Sequence, residues 1–448
     1  MIESAVLEAP TVAEIRQFAT RLSLVDDYET AASGIDAVRA LEELKSVGAA
    51  AQASVTDHVS AVIRADRRDR GVAQNKWDAG IASQVGLARR ESHHRGGTYL
   101  GLARAVVQEM PHTHALMRRG LLNEYRATLL VRETAHLSAE DRREVDRRLC
   151  AEAATLDGKG DAHIVAMAAA AAQELDAASV VKRNARAKSQ RRVSVRPAPE
   201  FMAYVNALMP MDQAVCVYAT LRRDADAMVG SGLAGDRTRD QVMADLLFER
   251  VTGASAAQGA PVAVQMVMSD ETLLAGGDEA AYVPGYGTVP AASARKLVAD
   301  SVDTGGAGAT LRRVYANPTT GHLTAMESSA RTFPAGLALY IDIRDRTCRT
   351  PWCDAPIRHH DHITPHRFGG PTTADNGMGL CAACNYAKEA DGWETTRIRE
   401  DVAGLHIVRF RTATGHTYDS AAPVPPRPMS SSSVEARLEE LVTERWAG

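Results

Sequence analysis

Between Cys348 and Trp393 the chain reads CRTPWCDAPIRHHDHITPHRFGGPTTADNGMGLCAACNYAKEADGW. Two cysteine pairs, Cys348-x4-Cys353 and Cys381-x2-Cys384, bracket this stretch. Two knuckles of that spacing supply the tetrahedral thiolate set that structural zinc prefers. Closing four thiolates on one ion would bring the two ends of a segment of about 35 residues together, whatever the rest of the chain does. A Zn2+ bound in this way has no open position, so any chemistry must come from residues between and just beyond the pairs.

Those residues are unusual in type. Asp361-His362 is followed by Ile363, Thr364 and Pro365, and then by the turn Gly369-Gly370-Pro371. Asn376 precedes the second knuckle, and Asn385 and Lys388 follow Cys384 on a segment expected to be helical. DHITPHRFGG, then an asparagine, then LCAACNYAK resembles the HNH endonuclease motif in its zinc-knuckle form. The resemblance implies a ββα-metal unit with a catalytic divalent ion between strand and helix. It implies His362 as the general base, suited by a pKa near working pH, and Asp361 as a hard oxygen ligand of Mg2+ or Mn2+. Asn376 would hold the loop that carries the base. Asn385 stands where this family often has histidine, and would be the second metal ligand through its carbonyl oxygen. Lys388 would contact phosphate. His359, His360 and His366 are read as surface or supporting histidines.

Residues 1 to about 185 read as successive helices, with apolar residues at three-to-four spacing over Thr11–Leu22, Gly34–Lys45, Ala50–Arg70, Tyr99–Val107, His114–Thr134 and Ala151–Leu175. Ser138-x-x-Asp141 and Thr238-x-x-Gln241 mark helix starts, and Asp212 is a candidate cap. No fixed-period repeat is visible. Alternation at Val262, Val264, Met266 and Met268 predicts a strand, and Leu311–Glu327 two more around Asn317–Gly321. A helix is expected over Ala291–Asp300, and another from Pro334, placed at a first helical position, to Arg346. Strands are expected over Glu394–Arg399 and Leu405–Arg411. Ser420–Ser433 reads as a Pro/Ser linker, and Val434–Trp446 as a short helix. Cys150 and Cys216 fall on apolar helical patterns and are expected to be buried.

The segments VAVQMVMSDETLL, GYGTVPAASARKLVADS and TATGHTY, with the helical N-terminal region, look similar to a large actinobacterial family that joins a helical domain of unknown function to a C-terminal HNH domain. This reading divides the chain into four parts: a helical domain over 1–190, a small α+β section over 191–333, the zinc-stapled ββα-metal module over 334–420, and the linker with its terminal helix over 421–448.

A net charge of −4 does not mark the whole chain as a nucleic-acid binder. The module itself sets Arg349, Arg358, Arg367 and Lys388 against Asp354, Asp361, Asp375, Glu389 and Asp391. The local exception is Lys182–Arg196, KRNARAKSQRRVSVR, with basic side chains and no acidic one. It is either a solvated helix end leading into a linker or a phosphate-contacting arm using Arg183, Arg186, Arg191 and Arg192. The start MIESAVLEAP lacks a basic, apolar leader, and no apolar run is long enough to span a bilayer. The expectation is a cytoplasmic protein with clustered thiols for metal rather than disulfides. Two functions fit: a metal-dependent endonuclease hydrolysing DNA phosphodiesters, or a catalytically degenerate zinc module that binds DNA or a protein.

Overall fold

The computed structural model of the chain describes residues 8–200, 202–255, 266–284, 286–303, 327–328, 332–398 and 405–423. The first nine helices are α1 (Val12–Leu22), α2 (Ala31–Asp69), α3 (Ile81–Ala88), α4 (His93–Gln108), α5 (Pro111–Arg118), α6 (Glu124–Thr134), α7 (Ala139–Cys150), α8 (Asp161–Leu175) and α9 (Ala177–Ala187). A hairpin of β1 (Arg192–Ala198) and β2 (Met202–Leu208) leads to α10 (Met211–Gly230), α11 (Arg239–Thr252), α12 (Asp270–Leu274), a short pair β3 (Ala281–Val283) and β4 (Gly287–Val289), and α13 (Ala291–Asp303). After β5 (Glu327–Ser328) come α14 (Ala335–Asp345), β6 (His359–His362), β7 (Thr372–Thr373), β8 (Gly377–Leu380), α15 (Ala382–Lys388), and a meander of β9 (Glu394–Ile398), β10 (Ile407–Arg411) and β11 (Thr417–Ala421).

The chain forms two compact units that are discontinuous in sequence: 1–58 with 102–177, and 59–101 with 178–448. The first is a helical body whose core joins Ala50, Val106, Met110, Met117, Leu130, Val145 and Ile164. Asp146 of α7 is fully buried and caps α5, accepting from the backbone N–H groups of His112 and Thr113 and from the Thr113 hydroxyl at 2.6–2.8 Å. An inter-helix cap of this kind satisfies the orphan N–H groups of the first turn, where Pro111 itself has none to satisfy. Beside it, burial pushes the Cys150 thiol up to about 12.

Local chemistry moved several expected boundaries. Segments 34–45 and 50–70 are one helix, α2, because Gly48 costs only about 1 kcal/mol inside a helix and Ala49, Ala50 and Ala53 pack into the core around it. Conversely, 114–134 splits into α5 and α6 where Gly120 takes a left-handed φ of 77° and Asn123 caps α6 through Arg126 N–H. Ala151–Leu175 keeps its helix only from Asp161. Ser138 and Thr238 cap as their patterns indicate, and Thr11 caps α1 in a capping box with Glu14 that had not been singled out. Asp212 lies in the first turn of α10 and Pro334 at the cap of α14, each one or two positions from its expected place. Cys216 is exposed, contrary to expectation. The buried side of α10 carries Leu221 and Ala225, and Cys216 projects about 140° around the helix from Leu221.

The basic stretch is a helix end, but it leads into a strand instead of a linker. It ends α9 and then runs as β1, pairing antiparallel with β2 in the register Arg192↔Leu208 to Ala198↔Met202. Of the expected middle strands, Val262 and Val264 lie outside the described residues, as does Leu311–Glu327 apart from the start of β5; Val267 makes an isolated bridge to Tyr282. The terminal helix at 434–446 also lies outside them. Among the described residues no helix is long and apolar enough to cross a membrane.

The second unit assembles its C-terminal part around β6 and β8, antiparallel with Asp361↔Met378 and His362↔Gly377. Strand alternation sends His359 and Asp361 to the face of α15, and His360 and His362 to the face of α14. The contacts agree: Lys388 reaches Asp361 and Tyr386 reaches His359, while His360 Nε2 pairs with Asp342 of α14 at 2.8 Å. Residues 59–101, read from sequence as part of the helical domain, pack here. Leu87 and Ala79 enclose Ala390 and Trp393, and buried Arg67 donates to the carbonyls of Lys76, Trp77 and Ala79.

Candidate functional site

The four cysteines converge. Their Sγ atoms lie within 4.8 Å of one another, with Cys353 and Cys381 3.9 Å apart. That is far too long for a disulfide and close to the roughly 3.8 Å sulfur separation of a tetrahedral ion with 2.3 Å bonds. The cluster could therefore hold a metal ion. Cys381 is also the cap of α15, accepting from Cys384 N–H at 3.4 Å. The four thiols share their protons: hydrogen bonds among them lower the Cys381 and Cys348 thiols and raise those of Cys353 and Cys384. His93, from α4 in the same unit, is held at 2.5 Å by Ser83 Oγ. Its imidazole is pushed down by burial and drawn partly back by the negative charge of Cys381.

A buried ionic frame supports the strands. Asp345, at the end of α14, accepts from Arg344 at 2.7 and 3.0 Å, from Arg349 at 3.1 Å and from Gly379 N–H at 2.7 Å. Burial opposes its charge, but the guanidiniums of Arg344 and Arg349 and the Gly379 amide outweigh that and hold its carboxyl below the usual range. Arg344 reaches on to the carbonyls of Ala374 and Gly377, and Arg349 to those of His406 and Ser420. Burial brings the Arg349 guanidinium down to about 10, against the pull of Asp345. This frame ties α14, the 374–379 segment and the β10–β11 meander to one carboxylate. Sequence reading did not single it out. The adjacent Arg344 and Asp345 that close α14, with Arg349 four residues beyond Asp345, were its signal in the sequence.

His362 is 6% exposed. Its Nε2 lies 2.9 Å from the Thr372 hydroxyl, its ring stacks obliquely on Phe333 at 4.7 Å, and exposed His366 stands 5.7 Å away. Neither Thr372 nor Phe333 was expected from sequence. Asn376 clamps the loop that runs from Thr364 to Pro371. Its Oδ1 accepts from Thr364 N–H at 2.9 Å, and its Nδ2 donates to Thr364 O and Pro371 O at 3.0 and 2.8 Å. Gly370 lies inside this clamp, where a Cβ would come within 1.8 Å of Thr364 O.

Asp361 is placed by two groups. Its Oδ1 accepts from His362 N–H at 2.8 Å and its Oδ2 from Lys388 Nζ at 2.7 Å. Lys388 was expected to contact phosphate. Its side chain is instead 3% exposed, and the ammonium also meets Glu389 at 3.0 Å and the His362 carbonyl at 3.1 Å. Residues 385 and 388 share one face of α15 because they are three apart. Asn385 lies on the Lys388 side of the helix, one turn nearer the cysteines, and its Oδ1 is buried without a hydrogen-bond partner. A buried carbonyl oxygen left without a donor is costly in a protein and suits a cation. The Asp361–Asn385 pair fits a hard divalent ion on that ground.

Of the basic arm, Arg186, Arg191 and Arg192 are exposed, on α9 and at the start of β1; the side chain of Arg183 lies outside the described set. Among the described residues, no contact joins Arg186, Arg191 or Arg192 to the Asp361–His362 pair.

A curated relative, the uncharacterised protein Rv3776 of Mycobacterium tuberculosis (strain ATCC 25618 / H37Rv), is 31% identical over 143 residues, a match that spans 31% of this chain and 24% of that protein. No solved structure matches the chain. Residues 348–391, the segment that carries the four cysteines, the Asp361–His362 pair, Asn376, Asn385 and Lys388, match the HNH endonuclease family model, so this chain carries an HNH domain.

Proposed function

We propose that the protein is a metal-dependent endonuclease that hydrolyses DNA phosphodiester bonds, with Zn2+ on the four cysteines as a structural ion and Mg2+ or Mn2+ on Asp361 and Asn385. The observation that carries this reading is the orphaned, buried Oδ1 of Asn385 on the helix face that meets Asp361. The divalent ion, when bound, would supply Lewis-acid stabilisation of the negative charge that develops on the phosphate oxygens. His362 takes the proton of the attacking water. The Thr372 hydroxyl and the Phe333 ring orient its imidazole, and the burial of Thr372 limits competing water. Asn376 is a positioning residue, holding the 364–371 loop through three hydrogen bonds. Arg183, Arg186, Arg191 and Arg192 are assigned to non-specific phosphate contacts, the charge that the module itself lacks.

Plasmid nicking in Mg2+ or Mn2+ tests this. Wild type should convert supercoiled to nicked DNA and His362→Ala should lose at least about 100-fold, the usual range for a general base. Equal cleavage by both proteins would refute the assignment. One observation favours the alternative, a zinc module that binds without cutting: both oxygens of Asp361 already have hydrogen-bond donors. No cleavage under any divalent ion, with DNA binding retained, would select it.

A further inference from the structure

The ionic residues around Asp361 cancel. Lys388 lies on Asp361 at 2.7 Å and on Glu389 at 3.0 Å, and Arg367 lies on Glu389 at 2.7 Å. Two carboxylates face two cations, and Asn385 adds a neutral oxygen. Divalent-ion affinity rises with the number of anionic ligands in a site. A second positive charge a few ångströms from the entering ion opposes binding, more strongly in a partly buried site than in water. Lys388 cannot swing away freely, because its side chain is 3% exposed and its ammonium also holds the His362 carbonyl.

We infer that Lys388 is a positioning residue that acts as the resident counter-ion of Asp361, so that the free protein binds the divalent ion weakly and acquires it together with the substrate phosphate. The inference rests on the endonuclease reading for the location of the ion, and it adds when the ion binds. In the free protein Lys388 keeps the Asp361 carboxylate aimed and neutralised. A scissile phosphate arriving at the Asp361–Asn385 pair would bring the missing negative charge, and Asp361, Asn385 and the phosphate would together hold the ion. Coupling of this kind is reciprocal: the ion tightens DNA binding by the factor by which DNA tightens ion binding.

The test is Mn2+ titration of the full-length, zinc-loaded chain, read by the electron paramagnetic resonance of free Mn2+, with zinc content measured to verify folding. Wild type should bind Mn2+ no tighter than the millimolar range expected of a site with so little net charge. Lys388→Met should bind at least about ten-fold tighter, and Glu389→Gln at least about three-fold weaker, following the sign of the charge removed. Glu389 is partly exposed, so its variant remains informative if Lys388→Met fails to fold. With His362→Ala, a short DNA duplex should tighten Mn2+ binding at least about ten-fold beyond what the duplex binds by itself. Micromolar binding by the free wild type, or unchanged affinity in both charge variants, would overturn the inference. The nicking assay fails independently of these titrations, so loss of the endonuclease reading and loss of this inference are separable.

Discussion

Gly80 and Trp393, more than three hundred residues apart in sequence, are in contact: a Cβ on Gly80 would fall 2.6 Å from the indole Nε1 and 3.0 Å from the Ala390 methyl. Gly80 also has φ +74°, so it is required twice, by conformation and by space. The HNH segment is thereby packed against residues 59–101. Gly80→Ala is expected to cost about 2 kcal/mol or more, combining a left-handed backbone with a steric clash. Trp393→Ala should cost about 3 kcal/mol through reduced burial. Urea denaturation monitored by fluorescence of the remaining tryptophans gives both values, and a change under about 0.5 kcal/mol in either would contradict this packing.

The cysteine cluster predicts one tightly bound metal per chain. Cys384→Ser should lose it and, with it, the fixed end of α15, because four-thiolate sites contribute folding energy directly. Elemental analysis of the purified chain checks the first point and proteolysis at residues 381–393 the second. Retention of a full equivalent of zinc by the variant would rule out the four-cysteine set.

Asn376 provides a sharper test than simple deletion. Asn376→Asp keeps the acceptor for Thr364 N–H but replaces the donor to Thr364 O and Pro371 O with a second oxygen. It should therefore be as damaging as Asn376→Ala, at about 2–3 kcal/mol, the cost of leaving buried carbonyls unpaired. Calorimetric melting of the two variants compares them, and an Asp variant close to wild type would show that the clamp is not formed as described.

His406 should make the protein acid-sensitive. Its Nε2–H donates to Asp375 O at 2.9 Å, and its Nδ1 is buried without a partner. Burial first, then the positive charge of Arg344, lowers its pKa to about 2. In the unfolded chain it titrates near about 6.5. Below that pH the unfolded chain binds a proton that the folded one excludes, so stability is fully present above about 6.5 and is lost as pH falls. The slope is about 1.4 kcal/mol per pH unit from this residue alone. His406→Gln can keep a donor toward Asp375 O and cannot titrate, so it should remove that slope between pH 6.5 and 5 in urea melts. An unchanged slope would mean that other groups govern acid unfolding.

The basic arm predicts a salt effect. Reversing Arg186, Arg191 and Arg192 to glutamate should reduce the slope of log affinity against log salt by about three, roughly one for each phosphate that is no longer neutralised. Fluorescence anisotropy on a labelled duplex measures it. An unchanged slope would return these exposed residues to a purely solvated role.

Much of the HNH segment was legible because its chemistry is local. Cysteine spacing, the Asp361-His362 dipeptide, and the asparagines before and after the second knuckle are all read within about forty residues. The caps at Ser138 and Thr238 were legible for the same reason, since each closes within one turn. The β1–β2 hairpin was within reach but missed: Arg192-Val193-Ser194-Val195-Arg196 alternates with the strand period, and the density of charge masked it. Helix boundaries failed where two weak signals competed, as at Gly48, where core packing prevailed, and at Gly120, where a turn did.

By itself, then, the sequence determined which residue types stand at which spacing: four thiols for one ion, a histidine beside a carboxylate, and an amide on the following helix. Only the tertiary structure decided what each of them meets. It buried Lys388 on Asp361 instead of presenting it to solvent, left Asn385 Oδ1 without a donor, and set Asp345 beneath the strands as a common anchor. It also brought residues 59–101 to Trp393. Spacing along a chain fixes which face of a helix or strand a side chain occupies, whereas its partner, its burial and hence its charge balance depend on elements hundreds of residues away.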